Sequence, residues 1–206
     1  MTIIQPTPDI IMPGVGCIFF FTNKIDGSDI CNYNLPGNLM LSIPSNKGTY
    51  GLYLCLTRSK TIIIGKLGQF DFPRGAYIYI GSARGSGGLR SRLERHLHGS
   101  TRNHWHIDYL RKDAEVQGFL YLINNRNYEC LWVQALIELS GAYIPAPGFG
   151  SSDCHKCRAH LIAFSFPDIS RDSTLKHEIQ LDSIKDTLTK KTKLPPQEIK
   201  CSHFQI

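Results

Sequence analysis

Several classes of protein are excluded by what this sequence lacks. Its apolar run at 17–21 is far shorter than the about 20 residues that a membrane-spanning helix needs. The first residues include prolines and Asp9 where a secretory signal peptide would have basic residues and then an apolar stretch. The seven cysteines are odd in number and scattered, unlike the disulfide framework of a small secreted protein. We therefore expect a cytoplasmic protein without a membrane partner.

Acidic residues are scarce in one long stretch of the chain. Between Lys47 and Lys112, twelve Lys or Arg residues face three acidic residues, so this stretch carries +9 although the whole chain carries +6. A basic block inside a globular segment is typical of nucleic-acid-binding proteins, although a solvated charged surface gives the same count. The 42% hydrophobic content supports a sizeable buried core around this block.

Composition divides the chain into three parts. Residues 1–46 are rich in Pro, Gly, Asn and Ser and are predicted to form an N-terminal extension, and residues 167–206 are predicted to form a polar C-terminal tail. Residues 47–166 have the patterns of one folded domain. Its strand patterns follow one another closely, which predicts an antiparallel sheet, and they lie at 48–57, 61–65, 69–73 and 76–83.

Helical patterns follow these strands. Leu89, Leu93 and Leu97 recur every four residues, which predicts an amphipathic helix that ends near Gly99. The remaining predicted elements are a short helix at 104–114, a strand at 116–123, a buried helix at 129–139 and a strand at 161–166. The predicted fold class is therefore α+β, with a small antiparallel sheet flanked by helices.

Polar residues with catalytic potential border the predicted sheet and its first helix. Arg92 and His96 lie one turn apart beside the leucine stripe, while Tyr50 and Tyr79 lie on strands. Arginine binds phosphate oxygens, and tyrosine or histidine can transfer the proton of an attacking water. Glu129 opens an otherwise apolar helix, either as a metal-binding carboxylate or as an ordinary helix cap. This group of residues favours chemistry on a phosphodiester.

The same residues occur in four sequence strings, which are GTYGLYL at 48–54, YIYIGSARGSGGLRSRLERHL at 77–97, HWHIDYL at 104–110 and GFGSSDCHKCRAHL at 148–161. In order and character these strings resemble the GIY-YIG nuclease family, although Thr49 stands in the first string where the family has isoleucine. The resemblance covers over half of the chain. The strings are most similar to those of a compact stand-alone branch of uncharacterised GIY-YIG-like domains, sometimes fused to endonuclease III.

The resemblance implies an endonuclease that hydrolyses DNA phosphodiester bonds with a divalent cation. In this family pattern Glu129 binds Mg²⁺ or Mn²⁺, and Arg92 stabilises the charge on the scissile phosphate. Tyr50, with Tyr79 beside it, orients or deprotonates the attacking water, and His96 assists the proton transfer or binds phosphate. The alternative is a binding module that keeps the fold and the basic groove without catalysis.

Further residues near these strings are predicted to contact DNA. His104 and His106 would line the groove or bind phosphate, and Trp105 would pack in the protein or stack on a base. A purely structural role suits all three residues equally. With Tyr109, the His-x-His pattern also resembles relaxase-type nucleases, but such histidines face the same way only on a strand. The predicted DNA-binding residues are Arg84, Arg90, Arg95, His104, Trp105 and His106.

Cys154, Cys157 and His160 have the spacing of zinc ligands. Structural zinc normally has four ligands, so His155 or a distant cysteine would have to complete the site. The CxxC pair is also compatible with a redox role, and the segment with a loop packed beside the active site. A structural-zinc adaptor without cleavage activity is therefore a third functional hypothesis.

Overall fold

Antiparallel strands dominate the computed structural model, which describes residues 43–99, 102–164, 174–193 and 198–203. Six strands of the described residues form one sheet, and two form a separate hairpin. The strands are β1 (Gly48–Leu56), β2 (Lys60–Ile64), β3 (Gly68–Phe72), β4 (Gly75–Ala83), β5 (Glu115–Ile123), β6 (Ala142–Tyr143), β7 (Leu161–Phe164) and β8 (Ile199–His203). The sheet order is β6-β7-β4-β1-β5-β8, and β2 pairs with β3.

Four helices in the described residues flank the sheet, which confirms the predicted α+β class. They are α1 (Gly88–His98), α2 (His106–Leu110), α3 (Glu129–Ile137) and α4 (Thr174–Thr192). The helix predicted at 104–114 is shorter, because residues 111–113 continue as turns before β5 begins. Within the part of the chain that the structure describes, none of the helices combines the length and apolar composition needed to cross a bilayer.

The two faces of the sheet carry separate hydrophobic cores. On the first face, the leucine stripe of α1 packs with Tyr50 and Leu52 of β1 and with Phe72 of the hairpin. On the second face, Trp132 of α3 lies in one core with Ile78 of β4 and Ile184 of α4. Helices α3 and α4 also contact each other. Burying a large apolar side chain contributes about 1.5–3 kcal/mol, so both layers contribute substantially to stability.

The first described residues pack against α1. Ile43 is buried in the first core. The carbonyl oxygens of Asn46 and Pro44 accept hydrogen bonds from the amides of Leu89 and Arg90, at 2.9 and 3.0 Å. These contacts satisfy amide groups in the first turn of the helix, which have no partner within it. Residues 1–42, including the apolar run at 17–21, lie outside the described residues.

The segment predicted as a polar tail contains α4 and β8. Strand β8 pairs with β5 along residues 118–122 and occupies one edge of the sheet. Ile184, Leu188 and Ile199 are buried in the second core beside α3. The sequence analysis assigned no place in the sheet to this segment, whose apolar residues are few and widely spaced.

Candidate active site and metal centre

Tyr50, Tyr79 and His96 form an aromatic cluster on the first face of the sheet. Tyr50 lies on β1 and Tyr79 on the adjacent β4, with ring centroids 6.4 Å apart. His96 of α1 packs edge-on against Tyr79, at 6.1 Å between centroids. The Tyr50 hydroxyl and Nε2 of His96 are hydrogen-bonded at 2.8 Å, and the donor depends on the histidine tautomer. Three of the five predicted catalytic residues therefore lie in contact.

Gly81 leaves the space that the Tyr50 side chain occupies. The two residues are partners in the β1–β4 register. A Cβ atom at position 81 would overlap the Tyr50 hydroxyl oxygen and lie 2.5 Å from Cζ of its ring. The glycine of the YIG string therefore has a steric role, because a side chain there would displace the phenol from His96.

Burial keeps the phenols protonated and the imidazole neutral. The pKa of Tyr50 is raised well above its ordinary value, mainly by burial and secondly by the neighbouring Tyr79. The charge of Arg92 opposes this shift. Burial, reinforced by the charge of Arg92, lowers the pKa of His96 to about 3. The hydrogen-bonded Tyr50–His96 pair is therefore uncharged in the free protein.

Arg92 stacks on the ring of Trp105. The guanidinium carbon of Arg92 lies 4.0 Å from the ring centroid, and that of Arg95 lies 4.4 Å from it. The Trp105 ring also packs against His96, at 5.6 Å between centroids. Arg92 is thereby joined to the aromatic cluster through Trp105. A cleft of about 120 Å³ adjoins this stack, lined by Gly85, Ser86, Ser91, Arg92, Arg95 and Trp105.

Glu129 lies in the first turn of α3 and influences the aromatic cluster through its charge. After burial, the charge of Glu129 is the largest cause that raises the pKa of Tyr79, and it also raises that of Tyr50. Asn127 accepts a hydrogen bond from the Glu129 amide at 2.9 Å, and its side-chain nitrogen donates to Glu129 Oε2 at 2.7 Å. Asn127 therefore satisfies the amide of Glu129 and holds its carboxylate in the first turn, where a negative charge also favours the helix dipole.

Thr49 and Arg84 hold the loop that precedes α3. The Thr49 hydroxyl accepts hydrogen bonds from the Tyr128 amide at 3.3 Å and from the Asn124 side chain at 3.4 Å. Arg84 donates to the backbone and side-chain oxygens of Asn124 at 2.8 and 2.9 Å. Arg84, predicted to contact DNA, thus uses its guanidinium group within the protein. The sequence held no signal for either contact, because the partners are 40 or more positions apart.

Asp108 connects α2 with α1. In the sequence it was considered only as one of the three acidic residues between Lys47 and Lys112. Its Oδ2 accepts hydrogen bonds from Arg95 at 2.8 Å and from the amides of His104 and Trp105 at 2.7 and 3.0 Å. Burial raises the pKa of Asp108, but the two amides and Arg95 outweigh burial and lower it. Asp108 lies three residues after the N-cap Trp105, which is a capping position. This spacing is the sequence signal from which its structural role could have been predicted.

Three thiols and one imidazole converge at a second group, hereafter the Cys₃His cluster. Its members are Cys130 in the first turn of α3 together with Cys154, Cys157 and His160 before β7, and their ligand atoms lie within 4.8 Å of one another. Such a set could hold a metal ion such as zinc. Three members are predicted from the sequence spacing, which leaves the fourth open. The structure places the distant Cys130 in the cluster rather than His155, which is exposed.

The thiols of the Cys₃His cluster differ in acidity. Burial raises the pKa of the Cys130 and Cys157 thiols. Burial acts in the same direction on Cys154. The Lys156 amide, which donates to Sγ at 3.4 Å, and the neighbouring side chains of Cys130 and His160 nevertheless lower the pKa of Cys154 to about 6. Cys154 therefore favours the thiolate form, which is the form that binds metals.

A sequence family matches the part of the chain that carries both groups. The family, described as a domain of unknown function, DUF123, matches residues 49–181, which is more than half of the chain. The chain belongs to the DUF123 family. The matched range includes the predicted catalytic residues and the Cys₃His cluster and ends before β8. No curated protein and no solved structure matches the chain.

The remaining predicted DNA contacts of this DUF123 domain have varied environments. Arg90 donates through Nε to the Ile43 carbonyl at 2.8 Å. His106 accepts a hydrogen bond at Nδ1 from the Gly150 amide at 3.0 Å, and burial lowers its pKa. His104 is exposed, and its ring packs edge-on against Trp105. The relaxase-type interpretation needs His104 and His106 on one strand. Because α2 begins at His106, the two histidines do not share a strand.

Proposed function

We propose that this protein is a divalent-metal-dependent endonuclease that hydrolyses DNA phosphodiester bonds. The observation that carries the proposal is the convergence of Tyr50, Tyr79 and His96, with Arg92 joined through Trp105 and electrostatic coupling to Glu129. These residues come from β1, β4, α1 and α3, which are far apart in the sequence. The resemblance of the sequence strings to GIY-YIG nucleases supports the same activity.

Tyr50 and His96 provide a path for the proton of the attacking water. Because burial raises the pKa of Tyr50, the phenol can take a proton from water only while it passes its own to Nε2 of His96. The low pKa of His96 opposes this transfer in the free protein. A bound phosphate brings negative charge, which favours the protonated imidazole. Proton transfer is therefore expected to depend on substrate binding.

Arg92 is positioned to bind the scissile phosphate. Its guanidinium group stacks on Trp105 and lines the cleft that Arg95 also borders. Arginine can donate two parallel hydrogen bonds to phosphate oxygens. Its fixed charge would stabilise the additional negative charge of the transition state, an effect that is commonly about 10²–10³ in rate for one such donor.

We propose that Glu129 holds the Mg²⁺ or Mn²⁺ ion. Mg²⁺ in proteins is commonly held by one or two carboxylates together with water and phosphate oxygens, so a single carboxylate beside a phosphate site is a sufficient donor set. A bound cation would neutralise phosphate charge and acidify the attacking water. Glu129 would fix the position of that cation, and Asn127 would hold the carboxylate through its hydrogen bond to Oε2.

The proposal is tested by incubating the protein with supercoiled plasmid and with flap and branched DNA, in Mg²⁺, Mn²⁺ or EDTA. We expect metal-dependent cleavage that falls by at least about 10²-fold in Glu129→Gln and in Arg92→Ala. Glu138→Gln, exposed at the end of α3, and Arg58→Ala, exposed in the turn after β1, are matched charge controls that should keep cleavage. Glu129→Gln should still bind DNA in EDTA.

Absence of cleavage on all three substrates in both metals would contradict the nuclease proposal. If DNA were still bound, with an affinity that falls as salt rises, the protein would be a nucleic-acid-binding module instead. Circular dichroism of each variant verifies that lost cleavage does not reflect lost folding.

A further inference from the structure

The Cys₃His cluster has the dimensions of a tetrahedral zinc site. A tetrahedral zinc with Zn–S distances of about 2.3 Å separates its ligand atoms by about 3.8 Å. The four ligand atoms already lie within 4.8 Å of one another, and Sγ of Cys130 and Cys154 are 3.3 Å apart. Small side-chain movements are therefore sufficient for all four to reach one ion.

The position of His160 provides an observation independent of these distances. Its side chain is 4% exposed, and Nε2 is buried without a hydrogen-bond partner among the described residues. The backbone of His160 is fixed at both ends, because its amide donates to Phe149 at 2.7 Å and its carbonyl accepts from Ile80 at 2.8 Å. An imidazole whose Nε2 atom is buried without a hydrogen-bond partner, and whose backbone is anchored to the sheet, is suited to metal coordination.

Backbone hydrogen bonds also hold the loop that carries two of the thiols. The Lys156 amide donates to Sγ of Cys154 at 3.4 Å, and the Cys154 amide donates to the Ser151 carbonyl at 3.0 Å. The Arg158 carbonyl accepts from Gly148 at 2.7 Å, which closes the loop. Cys130 is held separately by the first turn of α3. The four ligands therefore come from two rigid segments.

We infer that Cys130, Cys154, Cys157 and His160 together bind one structural zinc ion. Three thiolates and an imidazole select zinc over Mg²⁺ or Mn²⁺, which prefer oxygen ligands. Four protein ligands leave no open position for substrate, so the ion has a structural role. This site is separate from the divalent-cation position proposed at Glu129.

The zinc ion links α3 to the loop that supports Tyr79. Glu129 directly precedes Cys130, so the ion would restrain the first turn that carries the carboxylate. In the loop, a Cβ atom on Gly150 would lie only 2.7 Å from the Tyr79 ring, which shows how closely the loop covers that ring. Zinc would therefore fix Glu129 relative to Tyr79, a consequence that rests on the proposed nuclease function.

The inference is tested on the full chain, purified from zinc-supplemented medium, by elemental analysis. We expect about one zinc per chain and, after exchange, the visible absorption bands of tetrahedral thiolate-bound cobalt. Cys130→Ser and His160→Ala should lower the zinc content at least about tenfold. Cys55→Ser, a half-buried cysteine of β1 outside the cluster, should leave the zinc content unchanged.

Two further measurements keep the test decisive if Cys130→Ser does not fold. Cys130→His retains a zinc-binding side chain and should restore metal content. In the unmodified protein, a chelator should lower the melting temperature, and zinc but not Mg²⁺ should restore it. A metal-free protein without the cobalt spectrum, iron in place of zinc, a Cys130–Cys154 disulfide, or full zinc content in folded Cys130→Ser would each overturn the inference.

Metal content and melting temperature do not depend on cleavage, so the two proposals can fail separately. A protein that binds zinc but cuts no DNA retains this inference and loses the nuclease proposal. A protein that cuts DNA in Mg²⁺ and contains no zinc retains the nuclease proposal and loses this inference.

Discussion

Gly81 and Tyr50 face each other across β4 and β1, and the lack of a side chain at Gly81 allows the phenol to reach His96. We expect Gly81→Ala to lower the free energy of unfolding by about 1–3 kcal/mol, because the added methyl group overpacks the buried ring. In a strand without this contact, alanine would instead be neutral or stabilising. Urea unfolding measures the change.

A control and a second-site variant identify Tyr50 as the cause. Gly85→Ala, where the Cβ would meet no atom within 4 Å, should change stability by less than about 0.5 kcal/mol. In a Tyr50→Leu background the hydroxyl is absent, so adding Gly81→Ala should cost much less than in the unmodified protein. Equal costs in both backgrounds would show that the effect arises elsewhere.

At the scale of elements, Asp108 attaches α2 to α1 through Arg95 while it caps the helix amides. Asp108→Asn should lower the free energy of unfolding by about 1.5–3 kcal/mol at neutral pH, the range for hydrogen bonds to a charged group. The pKa of Asp108 is lowered by folding. Its contribution is therefore complete above the unfolded pKa of about 3.9 and is lost as pH falls through the lower folded pKa.

The pH dependence distinguishes this role from simple packing. The stability difference between the unmodified protein and Asp108→Asn should shrink as the pH falls below about 4, measured by urea unfolding at each pH. Asp113→Asn removes an exposed ion pair with Lys60, which is worth about 0–1 kcal/mol, and serves as the matched control. A difference that stays constant down to the lowest pH would contradict the electrostatic role.

At the scale of the whole molecule, α4 and β8 complete the second face and one edge of the sheet. Ile199 of β8 is 0% exposed, so Ile199→Ala should lower the free energy of unfolding by about 2–5 kcal/mol. Lys200→Ala, at the next and exposed position, should change it by less than about 0.5 kcal/mol. Equal and small effects would show that the C-terminal segment is not part of the folding unit.

Local patterns in the sequence determined much of the fold. The leucine spacing of α1 and the closely spaced apolar runs of β1 and β4 identify their elements because side-chain periodicity is a property of each element alone. The α+β class follows from the order of these elements. Local patterns also identified four of the predicted catalytic residues as a group. Each of them occurs in one of the short strings at 48–54 and 77–97, namely Tyr50, Tyr79, Arg92 and His96.

Only the tertiary structure decided which distant residues complete the two sites. Cys130 joins the Cys₃His cluster from 24 positions before Cys154, and Thr49 reaches the Tyr128 amide across 79 positions. Arg84, which the sequence predicts to contact DNA, holds the loop before α3. These pairings arise because the sheet brings its strands and the start of α3 together. A single sequence contains no local signal for the partner that packing in three dimensions selects.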